Sequence, residues 1–325
     1  MKKIIPLVLI PFLGFASASA LADSASALAD SAPKYTPNHI AAVADKSPLL
    51  TIEHQSGSAK VAQKPSHVVL FDFGVYDTMN KLGLADNVVA LPLGNLPSYL
   101  KGQVDSKVAD AGGMKTPDLA KIAELKPDLI VITGRQGKSF DELNKIAPTV
   151  NLGTGGDDYL AAAEANITLI GQLYDIEKKT AEELAALNKT VAQAQEKAAK
   201  SGKKVLVMLH NDGKLFPNKQ PVVYQVVKAA AVDIPVDPKA EKDKRPLVTP
   251  EMVAELNPDV ILVIDRSAAI GAGQWDKAAF ETDGVKKTNA FKNDKIIVLQ
   301  PDLWYLSGGG LDSLSRQVQA VESAL

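Results

Sequence analysis

The sequence predicts an α/β fold in two similar lobes, and three observations carry that expectation. Short apolar, β-rich runs alternate with helical patterns from about residue 67 onward, as in parallel sheets whose faces are covered by helices. The segment Ala123–Ile130 recurs in the second half as Ala254–Ile261. Between the halves, Ile176 to Lys200 carries a single helical stripe.

The elements follow in order. Lys2 and Lys3 precede an apolar stretch from Ile4 to Phe15, and Ala-Leu-Ala at 20–22 supplies small residues for cleavage. The stretch is short for a membrane span, so residues 1–22 are expected to be a cleaved export signal. The block Ala-Leu-Ala-Asp-Ser-Ala repeats at 27–32, which leaves cleavage after Ala29 open. Residues 23–47, rich in Ala, Ser, Asp and Pro, predict a disordered leader.

A first lobe is expected over 48–175. It starts with a hairpin near Leu49 that turns at Gln-Ser-Gly-Ser, 55–58. His67–Asp72 and Asn87–Leu91 read as strands around a helix ending at Lys81–Gly83, Thr116–Leu125 as a helix and Asp128–Thr133 as a buried strand.

Over 176–200, Ala181, Leu184, Leu187, Val191, Ala194 and Ala198 share a face. A helix of that length runs about 38 Å. It suits a connector between lobes, and equally a surface helix of one domain. In the second lobe, 201–325, Lys204–Leu209, Val260–Ile264 and Lys295–Leu299 read as strands, with Val222–Ala231 and Leu311–Leu325 as helices.

Composition narrows the function. The chain has no cysteine, which excludes disulfides, thiolate metal sites, cysteine nucleophiles and a lipid on an N-terminal cysteine. A formal net charge of −2 with interspersed signs gives no footprint for nucleic acid. No second apolar run approaches membrane-spanning length. No Gly-x-Ser-x-Gly or His-Glu-x-x-His motif occurs, and nothing in the sequence pairs Ser307 with a base, so an enzyme is not expected.

The repeat points at a site. Each copy reads helix, Pro-Asp turn, buried strand and arginine, and the same offset that relates Ala123 to Ala254 relates Arg135 to Arg266. Open α/β sheets bind ligands outside the carboxyl ends of their strands. Two facing lobes would aim both guanidinium groups at one cleft, where they suit anionic oxygen ligands. A local salt bridge at each loop is the plainer alternative. Near the C-terminus, Trp304 and Tyr305 precede Gly308-Gly309-Gly310. Glycines admit close backbone approach and expose helix N–H groups. Trp304 offers an aromatic wall, and Tyr305 a hard phenolic oxygen suited to ferric iron.

Lys126–Gln136, Asn257–Arg266 and Trp304–Gly308 resemble the substrate-binding proteins of iron–siderophore ABC importers, specifically the enterochelin-type branch that binds ferric catecholates. The resemblance extends over about 48–325. It implies two Rossmann-like lobes with parallel-rich sheets joined by one long α-helix, the class III periplasmic binding protein architecture, with a shallow cleft and little closure. It further implies that Arg135 and Arg266 bond catecholate oxygens and that Tyr305 can ligate the iron of the bound siderophore. No cofactor of its own is implied, since Fe3+ arrives as the siderophore complex. The partners implied are a ferric siderophore and an inner-membrane ABC permease, for a periplasmic monomer of a Gram-negative cell without a membrane anchor.

Two departures stand out. Where the family carries a third arginine, this chain has Phe216–Pro221, with Lys219 nearest to it. Where some members supply a loop histidine, it has Lys239–Arg245, so Lys244, Arg245 and, elsewhere, Lys138 offer charge, and His210 is the histidine nearest a strand end. Haem, cobalamin, or a hydroxamate or citrate-type siderophore is the alternative ligand for the same fold.

Overall fold

The computed structural model describes the backbone of residues 39–41 and residues 49–235 and 246–325 in full. The expected signal and the segment Lys239–Arg245 lie outside the described residues. Part of the expected leader does not: His39–Ala41 forms a strand antiparallel to Leu49–His54, an edge that leaves its backbone groups paired. The predicted hairpin follows, with Leu49–His54 paired to Gly57–Ala62.

The strands form two separate central sheets. The first is parallel throughout, ordered Thr149–Asn151, Leu129–Ile132, Val68–Leu70, Val88–Leu91, Ala109–Asp110. The second is ordered Lys214–Pro217, Lys204–Asn211, Val260–Asp265, Ile296–Val298, with only Lys214–Pro217 antiparallel among these. Leu129–Ile132 and Val260–Asp265 are almost fully buried, in keeping with continuous apolar runs covered on both faces.

The sequence repeat is a structural repeat. Lys126 and Asn257 both adopt left-handed backbone, at φ 49° and 43°, and turn each chain from helix to strand. The carboxylate of Asp128 then accepts the N–H groups of Ser66 and His67 at 2.7 and 3.0 Å, and that of Asp259 accepts the Lys204 N–H at 2.9 Å. Each Pro-Asp turn therefore fastens its strand to the start of the parallel neighbour. Short polar side chains that bond nearby backbone are suited to that task.

Glu177–Ser201 is the long helix, ended by Gly202 at φ 60°. Its buried stripe is Thr180, Leu187, Val191, Ala194 and Ala198, with Leu184 half-buried. Ala181, expected in that stripe, faces solvent, because Thr180 is the residue in phase with Leu184 and Leu187. Near its start Lys179 reaches the Leu82 carbonyl at 2.7 Å, and towards its end Gln195 reaches the Val226 carbonyl at 2.7 Å. The helix thus touches elements of both lobes. Gly171 lets Tyr159–Leu173 pack closely on it, since a Cβ there would stand 2.5 Å from the Thr180 hydroxyl.

Two expectations are corrected. The helix expected over 116–125 is confined to Leu119–Glu124, capped by Asp118, and Thr116–Pro117 pairs with Gly112–Gly113. Val222–Ala231 is not a regular helix. Val222–Val226 forms one wide turn closed by a bond from the Val227 N–H to the Val222 carbonyl at 2.9 Å, and Ala230–Ala231 joins the sheet. Its β-branched residues favour helix weakly, and Lys228 at φ 59° breaks the run. Leu311–Ala324, expected in the second lobe, packs on Phe73–Lys81 and on the long helix as well as on Val222–Val226. Among the described residues one buried cluster joins both halves, from Phe73 and Tyr76 to Leu314 and Val318, and each half keeps a further cluster of its own.

Candidate ligand-binding site

A cleft of about 400 Å3 opens beyond the carboxyl ends of the strands. Asp72, Arg135 and Tyr159 line it from the first lobe, and Gln220, Trp304 and Tyr305 from the second.

Arg135 is held by a capped turn. The Thr133 hydroxyl accepts the Arg135 N–H at 3.2 Å, and the buried Gln136 side chain accepts the Thr133 N–H at 2.9 Å and donates to the Met114 carbonyl. The guanidinium is exposed and donates from Nη2 to the Tyr305 carbonyl at 2.7 Å.

Arg266 begins an equivalent turn after the second strand. Asp265 caps it, accepting the Ala268 N–H at 3.0 Å with one oxygen and the Trp275 N–H at 2.7 Å with the other. Burial alone would raise the Asp265 pKa, but its bonds with His210, Ala268 and Trp275 outweigh that and hold it below the ordinary value. Arg266 Nε donates to the Tyr305 hydroxyl at 2.8 Å, and Nη1 donates to Asn211 Oδ1.

The two arginines therefore converge on one tyrosine from different sheets. Their guanidinium carbons lie 5.8 and 5.5 Å from the Tyr305 ring centroid, within cation–π range. Arg135 lines the cleft itself; Arg266 stands half-buried at the Tyr305 hydroxyl and is not among the lining residues.

The other sequence candidates separate. Trp304 lines the cleft but is 5% exposed and belongs to the core, so packing occupies most of its ring. Lys219 is exposed beside Gln220 and outside the lining. His210 has both ring nitrogens engaged: Nδ1 lies 2.7 Å from Asp265 Oδ1, and Nε2 accepts the Gly213 N–H at 3.1 Å. It supports the Arg266 turn and has no nitrogen left for a metal.

The glycine run does not present free helix N–H groups. Asp77 of the first lobe accepts those of Asp312 and Ser313, and the Thr78 hydroxyl accepts that of Leu311 at 3.1 Å. A Cβ on Gly74 would stand 2.0 Å from the Gly308 carbonyl oxygen, so the glycines serve the junction between lobes. The cleft wall is tied down there as well. Tyr99 donates to Asp77 at 2.9 Å and meets the Ser307 hydroxyl at 2.6 Å, and the Ser98 N–H donates to Asp302 at 2.5 Å.

Sequence reasoning missed Asp72, Tyr159 and Gln317 in the cleft lining. Asp72 was visible as the residue after an apolar strand. Tyr159 and Gln317 sit on helices whose orientation no local pattern specifies. Burial pushes the Asp72 carboxyl up to about 6, against bonds from the Val75 and Gly74 N–H groups and the nearby Arg135 charge.

The model of the periplasmic binding protein family matches residues 68–303. The chain is 39% identical over 286 residues to the petrobactin-binding protein YclQ of Bacillus subtilis, covering 86% of this chain and 89% of that one. It is 25% identical over 277 residues to the ferric-anguibactin-binding protein FatB of Vibrio anguillarum, covering 82% and 84%. The YclQ crystal structure superposes with a TM-score of 0.80, covering 86% of this chain and 99% of that one. That of the periplasmic catecholate-siderophore binding protein VctP from Vibrio cholerae superposes with a TM-score of 0.75 at 28% identity, covering 85% and 100%. With two α/β lobes, a long helix bonded to both and a cleft at the strand ends, the chain belongs to the periplasmic binding protein family and is a binding protein, not an enzyme.

Proposed function

We propose that this protein captures a ferric siderophore of the catecholate type outside the cytoplasm and delivers it to an ABC importer. The observation that carries the reading is the convergence of Arg135 and Arg266 on Tyr305 at the edge of the cleft. Guanidinium groups remain charged at any physiological pH and offer more donors than the fold consumes here. They offset the negative charge of catecholate oxygens in a partly dehydrated cleft, and affinity follows from that preorganised charge. The reading is supported by relatives named for petrobactin and ferric anguibactin, and by a structural neighbour named for catecholate siderophores.

In this reading Arg135, Arg266 and Tyr305 contact the ligand directly. Trp304 gives it an apolar edge, and Lys219 adds charge at the mouth. The Tyr305 phenolic oxygen ligates the iron when the chelator leaves a coordination position open. No chemistry is performed on the ligand. The protein acts as a monomer in the periplasm of a Gram-negative cell, an inference supported by the signal-like N-terminus and the lack of cysteine. An inner-membrane permease receives the complex. Among the described residues no helix is long and apolar enough to cross a membrane.

The test is a titration followed by tryptophan fluorescence, with ferric catecholate, ferric hydroxamate, haem and cobalamin as probes. Saturable quenching by the catecholate, weakened in Arg135→Ala and Arg266→Ala, is expected. Tight binding of haem or cobalamin with no response to the catecholate would overturn the ligand while leaving the fold untouched.

A further inference from the structure

Part of the cleft wall comes from outside both central sheets. The hairpin of Leu49–His54 and Gly57–Ala62 turns at Gln55 and Ser56, and Gln55 lines the cleft. Three bonds anchor this tip. The Gln55 N–H donates to the Asn151 carbonyl at 3.3 Å, and the Asn151 side chain donates to the Ser56 hydroxyl at 3.0 Å. The Ser56 N–H donates to Nδ1 of the buried His54 at 3.2 Å. The tip is therefore a fixed element, as a well-placed ligand contact requires.

The Gln55 side chain reaches the neighbouring loop. Its Nε2 donates to the Gly153 carbonyl at 2.5 Å, and a carbonyl requires a donor, which fixes the amide orientation. A Cβ on Gly153 would stand 3.4 Å from Gln55 Oε1 and 3.4 Å from the Gly134 backbone nitrogen. The Gln55 amide and the residue before Arg135 therefore both flank Gly153. One bond leaves most of the amide unused. Its second N–H and its oxygen have no hydrogen-bond partner among the described residues. The residue is exposed, so a ligand reaches it without displacing packed atoms.

The charge of the lining gives this amide its importance. Arg135 is the one cation among the described residues that line the cleft, since Arg266 and Lys219 stand outside the lining. A polyanionic ferric chelate there meets a single charged donor and takes its remaining hydrogen bonds from neutral groups. A primary amide bonds an anionic oxygen through its N–H and needs no counter-charge while the cleft is empty.

We propose that Gln55, at the tip of the N-terminal hairpin, is a specificity-determining contact for the bound siderophore. It holds the Gly153 wall with one N–H and gives the other to an anionic oxygen of the chelate. This rests on the siderophore reading and deepens it. The hairpin becomes a third contributor to the site beside the two lobes, and the charge at its tip sets which chelates are accepted.

The experiment compares Gln55→Met, Gln55→Glu and Gln55→Lys in the full-length protein, titrated with the ferric complex of a tris-catechol amide. It is run at about pH 8, where glutamate is ionised. Methionine and glutamate both lose the bond to Gly153 and differ in charge, so the pair separates the ligand contact from the loop anchor. Gln55→Met should bind about 3- to 10-fold more weakly than wild type, the scale of one lost hydrogen bond. Gln55→Glu should be about 10-fold weaker again, because its carboxylate faces anionic oxygens, and added salt should narrow that gap. Gln55→Lys should bind as tightly as wild type or more so, since an ammonium donates to the Gly153 carbonyl and attracts the chelate. Equal affinities for the three variants would overturn the contact alone and leave Gln55 an anchor of the loop. Failure of wild type to bind the chelate would overturn the siderophore reading together with it.

Discussion

Asp77 and Ser313 lie at opposite ends of the described chain, yet the Asp77 carboxylate accepts the Ser313 N–H at 3.1 Å, and that of Asp312 at 3.0 Å. A side chain on the first helix of one lobe thereby caps the last helix, which carries Gln317 into the cleft. Tyr99 donates to the same carboxylate at 2.9 Å. The junction is 2% exposed at Asp77, so its polar groups have no water to fall back on.

Asp77→Ala should therefore be costly. It removes a helix cap, takes one of the two partners of the Tyr99 hydroxyl and strands two N–H groups, for a loss of about 3 kcal/mol. Urea denaturation should show a lower midpoint. An unchanged midpoint would mean that the lobes are held by apolar packing alone.

The same carboxylate gives stability a pH signature. Burial pushes Asp77 up to about 7 and Asp72 up to about 6, from a usual value of 3.8, despite the hydrogen bonds that oppose it. An acid with a raised folded pKa contributes stability that is complete below its unfolded pKa and is lost as pH rises through the folded one. Stability should fall between pH 5 and pH 8 on this account. His54, lowered by burial, acts in the opposite sense over that window. Denaturation of Asp77→Asn isolates the carboxylate, and its midpoint should change less between pH 5 and pH 8 than that of wild type.

Arg135→Ala and Arg266→Ala should each weaken ferric catecholate binding about 10- to 100-fold, the range for losing a charge-assisted contact of 1.5–3 kcal/mol. Lysine should rescue neither fully, because a point charge cannot hold Tyr305 and the ligand together as a fork does. Calorimetric titration checks this.

His210→Ala should lower stability by about 2 kcal/mol, because Asp265 loses a buried partner and the Arg266 turn loosens. Affinity should drop modestly while the absorption band of the bound ferric chelate stays in position. A displaced band would make His210 an iron ligand, contrary to its bonding within the fold. Tyr305→Phe is the companion variant, in which that band should change.

Gly74→Ala should act through the backbone. Its Cβ would stand 2.0 Å from the Gly308 carbonyl oxygen, and neither atom can swing aside. Overpacking of that kind costs about 1–3 kcal/mol. It would also move Gly308, so ligand affinity should fall with the melting temperature.

Much of the architecture was legible in sequence because its causes are local. Uninterrupted runs such as Val260–Ile264 announce strands buried on both faces. The Pro-Asp turns at 127–128 and 258–259 mark where each helix gives way to a strand, although the backbone that their carboxylates bond lies far off in the chain. Arg135 and Arg266 follow their strands at the same interval, so their equivalence needed no coordinates. The Val222–Ala231 segment misled because apolar spacing alone does not register the helix cost of consecutive β-branched residues. The Gly308–Gly310 run misled for a different reason. Glycine permits close approach equally to a ligand and to another backbone, and here the neighbour is Gly74.

The sequence by itself determined the α/β class, the repeated strand-and-arginine unit and the long helix, since periodicity and turn chemistry act over a few residues. Only the tertiary structure decided that both arginines meet at Tyr305, that His210 turns inward to Asp265, and that Asp77 closes the last helix. Those contacts join residues tens to hundreds of positions apart, where the outcome depends on how two sheets and the helices between them pack, and no spacing along the chain encodes that.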